Sequence, residues 1–317
     1  MNNSFIKFLR FFISFFGVIF LFRIFFENHE YFLLVLKKGY ILALPLLLMA
    51  IAHHNIVSLR SFLLFRYFTK YKENFFKWSK LFFESISLNL IFSHSGSLYR
   101  AGLLKLSGVK YREFLGFFYL VFISYLCLNL FFILFEFIFL SKIKTLSLLL
   151  ALLSVIILII LFFYFPIFFT KMIDKLNLKK FNIFKYIIDK LNLVIEFVKN
   201  NLNKKVILII FSTVLLNHIF ELLIFYLSYS IVHPKLDLGL FILFFGVSFL
   251  LDRIPLINSY PGINELIFAT ISVPFGYNFT DGVLLKFIIR VVGILSIILN
   301  IIFFNIFALA FNLKRKI

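Results

Sequence analysis

Ionisable residues at predicted membrane depth are the first candidates for chemistry in this sequence. Glu221 falls near the middle of one long apolar run, and Arg290 lies early in the last one. A charged side chain at the centre of a membrane helix costs about 2.5 to 3.5 kcal/mol, so such residues mark binding sites or pathways by default. Glu221 therefore needs a partner, for which Arg290 and Arg253 are the nearest by predicted depth. The alternative is a buried ion pair that only fixes helix packing.

Asn217 and His218 precede Glu221 on the same predicted helix. Asn217 and Glu221 are four residues apart and share one face, while the spacing of His218 and Glu221 matches half of a carboxylate-bridged metal site. The other histidines at predicted membrane depth have no paired spacing: His53, His54 and His94. We therefore predict no metal site, and we expect His53 and His54 to satisfy one another or a backbone carbonyl.

Two weakly apolar segments, interrupted by Gly or Pro, follow the same pattern. In the first, Gly96 and Arg100 are followed by an apolar stretch, Gly108, a polar turn and a long span. In the second, Gly262 and Glu265 lead through an apolar stretch to a polar turn and the span with Arg290. This faint internal repeat is typical of discontinuous transporter helices, whose N-termini suit phosphate or carboxylate groups. The alternative is that Gly and Pro only permit close packing and kinks.

Membrane helices must position these residues. The chain of 317 residues is 62% hydrophobic and 15% charged, with a mean hydropathy of +1.04, whereas soluble domains are about 45–50% apolar and about 25% charged. A span takes about 20 apolar residues, which predicts seven strong spans and two weak segments. The strong spans are 11–26, 39–59, 114–140, 146–169, 206–232, 238–251 and 283–311. The weak segments, 81–96 and 254–275, are candidate half-helices or re-entrant loops.

Basic loops predict that both termini face the cytoplasm. Residues 60–80 contain six Lys or Arg, and residues 171–205 contain nine Lys; loops rich in basic residues stay cytoplasmic. Termini on one side require an even number of crossings, so we expect the segment after Pro255 to supply an eighth. The sequence thus predicts an all-α, multi-pass protein of the cytoplasmic (inner) membrane. It would form a single transmembrane domain over 1–317, with a cytoplasmic amphipathic connector at about 171–205.

The formal net charge of +19 predicts anionic lipid headgroups as partners. The basic residues follow the predicted cytoplasmic edges and contain no nucleic-acid recognition motif, so nucleic acid is not expected. The sequence also lacks a P-loop, a dinucleotide fingerprint and a nucleophile elbow. We therefore predict no cofactor and no catalytic residue, which favours a protein that is not an enzyme.

The two interrupted segments resemble the motifs of a known family. The residues that carry the resemblance are Gly96 to Arg100 with Gly108 and Val109, then Pro255, Gly262, Glu265, Gly276 and Arg290. They match, in order, the two motifs of the lysylphosphatidylglycerol synthase transmembrane region family of flippase-like membrane proteins, and the resemblance covers most of the chain. Ser97 stands where that family usually has Glu, and Tyr260 and Pro261 replace its glycine pair.

The resemblance implies a flippase-like bundle that binds and translocates a phosphate-bearing lipid, anionic or polyprenyl-linked. Arg100 and Arg290 would hold the headgroup, Glu265 and Glu221 would orient those arginines or titrate, and Gly262 belongs to the same site. No soluble aminoacyl-transferase domain is expected, so the synthase reaction is not either. The alternatives are a membrane-embedded transferase with Glu265 or Glu221 as general base, or a non-catalytic assembly subunit of an envelope complex. A homo-oligomer or an envelope-complex partner is left open.

Overall fold

The computed structural model describes residues 23–69, 74–91, 95–106, 108–140, 203–233, 238–253, 262–275 and 277–314, with isolated positions at 19, 189, 192 and 196. These stretches are almost entirely helical and contain no β-strand. The helices are α1 (His29–Phe68), α2 (Phe75–Ile91), α3 (Ser95–Leu106), α4 (Tyr111–Leu140), α5 (Lys204–Val232), α6 (Leu238–Arg253), α7 (Ile263–Ser272) and α8 (Phe279–Lys314). The predicted all-α class is confirmed for this part of the chain.

Three of these helices are long and apolar enough to cross a membrane. The candidate spans are Gly39–Phe68 of α1, Lys204–Val232 of α5 and Phe279–Phe307 of α8. Helices of this length extend about 44 Å, which exceeds the hydrocarbon core of about 30 Å. They contain the predicted spans 39–59 and 206–232 and most of 283–311.

The other predicted spans have different outcomes. Helix α4 covers the predicted span 114–140, whereas the apolar part of α6, Phe241–Asp252, is shorter than a full span. Helix α7 has 10 residues and is about 15 Å long, half of the hydrocarbon core. The eighth crossing therefore stays a prediction, as does the side on which the termini lie. The predicted spans 11–26 and 146–169 and the connector 171–205 lie largely or wholly outside the described residues.

The described chain forms two compact units. Unit 1 comprises Met1–His54, Ile86–Gly96 and Ile219–Phe303, and unit 2 comprises Asn55–Ser85, Ser97–His218 and Phe304–Ile317. The predicted weak segment 81–96 lies mainly in α2, whereas the two predicted repeat motifs each form a short helix that is followed by a long one, α3 and α4 for the motif with Gly96 and α7 and α8 for the motif with Gly262. The glycines with positive φ occupy different places, however. Gly108 (φ 82°) lies between α3 and α4, whereas Gly262 (φ 93°) precedes α7, so the internal repeat stays a prediction.

Close packing of α7 against α8 positions the candidate site residues of these two helices. A Cβ atom added to Gly282 on α8 would lie 2.7 Å from the backbone Cα of Ala269 on α7. Such a distance is far below van der Waals contact, so only a glycine lets the two backbones approach this closely. The preceding residue of α7, Phe268, is 1% exposed and packs edge-on against Phe225 on α5 and Phe244 on α6. Helix α7 is thereby packed against α5, α6 and α8.

Unit 2 has a core of its own around Trp78, the one tryptophan of the chain. Trp78 on α2 is fully buried, and its ring centroid lies 4.9 Å from that of Phe65 on α1. Its indole Nε1–H donates a hydrogen bond of 3.2 Å to the carbonyl oxygen of Ser58. An aromatic side chain with a satisfied polar edge is a well-anchored core residue. Trp78 therefore fixes α2 against α1.

Candidate functional site

Glu265 and Arg290 form a buried ion pair between α7 and α8. The Nε of Arg290 lies 2.5 Å from Oε1 of Glu265, with side-chain exposures of 22% and 1%. Glu265 is the third residue of α7, and its Oε2 accepts a hydrogen bond of 2.9 Å from the backbone N–H of Gly262. A carboxylate at this position satisfies one of the free N–H groups at a helix start. One carboxylate thus holds both the beginning of α7 and the guanidinium on α8.

Glu265 contacts only one edge of the Arg290 guanidinium, at Nε. Glu265 binds its Nε, and the terminal nitrogens donate no hydrogen bond to any other residue that the structure describes. A guanidinium has five N–H donors in a plane and binds oxyanions through two parallel bonds. The outer edge of Arg290 therefore retains donors that could bind phosphate or carboxylate oxygens.

Lys286, one helical turn before Arg290, forms a second buried network. Its side chain is 3% exposed, and its Nζ donates to Oδ1 of Asp252 and to Oγ of Ser248 on α6, both at 2.9 Å. Asn264 on α7 also donates to Oδ1 of Asp252, at 2.6 Å. Residues four apart share a helix face, so one polar face of α8 meets one polar face of α6. Lys286 and Arg290 of α8 are thereby paired with carboxylates from α6 and α7.

Glu221 lies at a cavity beside this network. Its Oε1 is 3.3 Å from Nε2 of His53 on α1, and the ring of His53 contacts that of His54 at 5.1 Å. The cavity has a volume of about 160 Å³, and its polar lining includes these three residues, Ser248 and Asp252. Asp252 thus belongs both to the cavity wall and to the Lys286 network.

The pairing of Glu221 differs from expectation. Arg290, a predicted partner, binds Glu265 instead, because Glu265 projects from the start of α7 toward α8. The side chain of Arg253, the other predicted partner, lies outside the described residues. His54 hydrogen-bonds the backbone of Gly293, as expected for a histidine that satisfies a backbone group.

Asn217 and His218 have partners of their own in unit 2. Asn217 donates a hydrogen bond of 3.0 Å to the hydroxyl of Tyr125, and Nδ1 of His218 lies 2.8 Å from Oδ1 of Asn129. Both partners are on α4. In the described ranges, no group of three or more His, Cys, Asp or Glu residues is arranged to hold a metal ion.

Arg100, the predicted headgroup residue of the first broken segment, lies in unit 2. Its side chain is buried on α3, and its Cζ is 5.0 Å from the ring centroid of Phe82 on α2. Four of the five predicted site residues lie in unit 1: Glu221, Gly262, Glu265 and Arg290. The structure joins three of them directly and places Glu221 at the neighbouring cavity.

A further polar cluster joins three chain segments at the ends of the candidate spans in unit 1. The hydroxyl of Tyr31 donates a hydrogen bond of 2.5 Å to Oδ1 of Asp281. Nε2 of His233 lies 3.8 Å from Oδ2 of the same aspartate. Burial raises the pKa of Tyr31 to about 12, and the bond to Asp281 adds to the effect. Burial lowers the pKa of His233, although the charge of Asp281 acts in the opposite direction.

The sequence interpretation missed the Lys286 network. Lys286 lies four residues before Arg290 in the same apolar span, so the membrane depth that identified Arg290 also identifies Lys286. Asp252 follows an apolar run directly and could have been found as its partner by charge alone. Nothing in the sequence indicated that Ser248 and Asn264 complete the network.

Comparison of the chain with protein-family models, with curated proteins and with solved structures finds no match. The family resemblance drawn from the two sequence motifs stays a hypothesis. The function is therefore inferred from the geometry of the described residues.

Proposed function

We propose that the protein is a flippase-like membrane protein that binds a phosphate-bearing lipid and moves it across the cytoplasmic membrane. One observation carries the proposal, the ion pair between Glu265 and Arg290, in which the guanidinium is held at Nε while its outer edge keeps donors that no other described residue uses. Arg290 lies about 16 Å along α8, inside a candidate membrane span. Ionised side chains at membrane depth are rare and mark binding sites or pathways by default.

The two partners of Glu265 support reversible binding of a headgroup. A phosphate that approaches Arg290 meets the unused donors at the outer edge of the guanidinium, while Glu265 holds Nε. Glu265 is itself fixed by its bond to the backbone N–H of Gly262. The guanidinium therefore keeps its position when the headgroup leaves. Binding and release then form and break charge-assisted contacts at the outer edge alone.

Arg290 is not interchangeable with lysine in this role. A guanidinium fork contacts two phosphate oxygens at once, whereas an ammonium acts as a point charge. The loss of one charge-assisted hydrogen bond corresponds to at least about a tenfold loss of affinity. Arg290→Lys should therefore weaken lipid binding even though it keeps the charge.

Mass spectrometry of copurifying lipids tests the proposal and does not require that the substrate be chosen in advance. We expect the wild-type protein to enrich one phosphate-bearing lipid over the bulk membrane composition, and Arg290→Ala to lose this enrichment. Lys105→Met is the control, because Lys105 is an exposed cation on α3. Bulk lipid alone in the wild type, or unchanged enrichment in Arg290→Ala, would overturn the proposal.

Lipid movement needs a separate measurement in vesicles. Wild-type protein should move the enriched lipid between leaflets, and Glu265→Gln should slow the movement because the guanidinium loses its ionic partner. Movement at the wild-type rate in both Arg290→Ala and Glu265→Gln would remove this pair from the mechanism.

A further inference from the structure

Arg100 is a buried cation without a counter-charge in the described part of unit 2. Its side chain is 8% exposed, and its Nε is buried with no hydrogen-bond partner. No carboxylate of the described residues pairs with it. An ionised group that is taken out of water without a partner is strongly destabilising, so buried charges are paired or bind an ion.

Glu84, two residues after Phe82 on α2, is the carboxylate nearest to Phe82 in sequence, but it pairs with other residues. Glu84 lies 3.9 Å from Nζ of Lys80 and accepts a hydrogen bond of 3.4 Å from the hydroxyl of Tyr99. Tyr99 is next to Arg100 in the chain, so the two side chains leave α3 in different directions. Burial lowers the pKa of Arg100 to about 10, and the group still carries its charge at neutral pH.

Phe82 covers one face of the guanidinium and uses none of its N–H donors. The guanidinium carbon lies 5.0 Å from the centroid of the Phe82 ring, within the range of a cation–π contact. Such a contact uses the face of the planar group, whereas the N–H donors point outward in its plane. The contact with Phe82 therefore does not satisfy the hydrogen-bonding groups of Arg100.

We propose that unit 2 contains an anion-binding site of its own, in which Arg100, stacked on Phe82, binds a phosphate oxyanion. A lipid headgroup and free inorganic phosphate present the same tetrahedral oxyanion to a guanidinium fork. The site does not rest on the proposed lipid movement or on Arg290, since all of its described contacts lie within unit 2.

Trp78 provides a direct readout of this site. It is the one tryptophan of the chain, and it lies on α2 one helical turn before Phe82. We would purify the protein in a phosphate-free sugar detergent and titrate it with inorganic phosphate or with a short-chain phosphatidic acid. A saturable change in Trp78 fluorescence is expected with at least one probe. A response to the phosphatidic acid alone identifies a lipid headgroup, and a response to both identifies the phosphate group itself.

Three variants make the experiment decisive. Arg100→Met should abolish the fluorescence response, Arg100→Lys should weaken binding about tenfold, and Arg290→Met should leave the response unchanged. No saturable response of the wild type to either probe would overturn the proposal. A normal response in Arg100→Met would do the same, and loss of the response in Arg290→Met would show that there is no separate site.

Thermal unfolding distinguishes a variant that has lost phosphate binding from one that has not folded. Without phosphate, Arg100→Met should unfold at the wild-type temperature or higher, because the substitution removes a buried charge that no described carboxylate compensates. Phosphate should raise the unfolding temperature of Arg290→Met, which keeps Arg100, since a ligand that binds only the folded state stabilises it. It should not raise that of the double variant Arg100→Met with Arg290→Met. A purely structural Arg100 predicts the opposite, a lower unfolding temperature for Arg100→Met and no effect of phosphate on Arg290→Met.

Discussion

The ammonium group of Lys286 lies 2.9 Å from Oδ1 of Asp252, in a side chain that is only 3% exposed. The same ammonium also binds Oγ of Ser248, so two of its three N–H donors are satisfied within the protein. A lysine buried to this degree persists only when it is paired and hydrogen-bonded. The contact therefore joins α6 to α8 within unit 1.

Replacement of Lys286 by methionine should destabilise the protein by about 2 to 3 kcal/mol. Breaking a fully buried ion pair costs about 3 to 5 kcal/mol, and the effect is smaller here because the side chain of Asp252 is 33% exposed. Denaturant unfolding in detergent measures the change. The double variant Lys286→Met with Asp252→Leu should recover most of the loss, because no uncompensated charge remains. Equal stability of wild type and Lys286→Met would show that the pair contributes nothing.

Gly282 should not tolerate a side chain, whereas Gly293 on the same helix should. The Cβ of an alanine at position 282 would lie 2.7 Å from the backbone Cα of Ala269, which cannot move away by a rotamer change. Gly282→Ala should therefore cost about 1 to 3 kcal/mol. A Cβ at Gly293 meets no atom within 4 Å, so Gly293→Ala is the matched control. The free energy of unfolding of both variants should be measured under the same conditions. Similar values for Gly282→Ala and Gly293→Ala would contradict the close approach of α7 and α8.

The alkaline titration of Tyr31 should reveal its bond to Asp281. Its pKa is raised from 10.0 to about 12, so the folded state favours the protonated phenol. The stability contributed by this group is complete below pH 10 and is lost as the pH rises toward 12. The ultraviolet absorbance of tyrosinate should show a component in the wild type that is absent in Tyr31→Phe. Asp281→Asn should shift this component to lower pH.

Tyr40 is the control for that titration, because it lies exposed on the same helix. Tyr40→Phe should leave the high-pH component of the absorbance curve in place. Loss of that component in Tyr40→Phe, or no change in Tyr31→Phe, would show that the signal belongs to another tyrosine.

Acidification should lower the stability of the cluster of Tyr31, Asp281 and His233, because His233 becomes protonated. Burial lowers the pKa of His233 below its ordinary value of 6.5, and the charge of Asp281 opposes the shift. Because the folded-state pKa is depressed, the stability contributed by neutral His233 is present above pH 6.5 and is lost as the pH falls below it. Asp281→Asn should depress the pKa of His233 further, since it removes the opposing charge. Nuclear magnetic resonance of labelled histidine measures the shift, and a higher pKa in Asp281→Asn would contradict this arrangement.

Much of the helical architecture followed from local properties of the sequence. Apolar runs of sufficient length predicted the helices that contain residues 39–59, 206–232 and 283–311, because the free energy of burying a segment in hydrocarbon is nearly a sum over its own residues. The cost of a charge at membrane depth likewise identified Glu221 and Arg290 as residues that need a partner. Lys286 could have been found in the same way, since its position in the last apolar run is a property of the sequence alone.

Only the tertiary structure decided which charges meet. Glu265 rather than Glu221 binds Arg290 because Glu265 begins α7, and the missing side chain at Gly282 lets α7 approach α8 closely. Hydropathy is additive along the chain, but an ion pair depends on the rotation and distance of two helices, which are set by packing between residues far apart in sequence. For that reason the amino-acid sequence determined the long apolar helices and the residues that need partners, whereas the packed structure selected the partners.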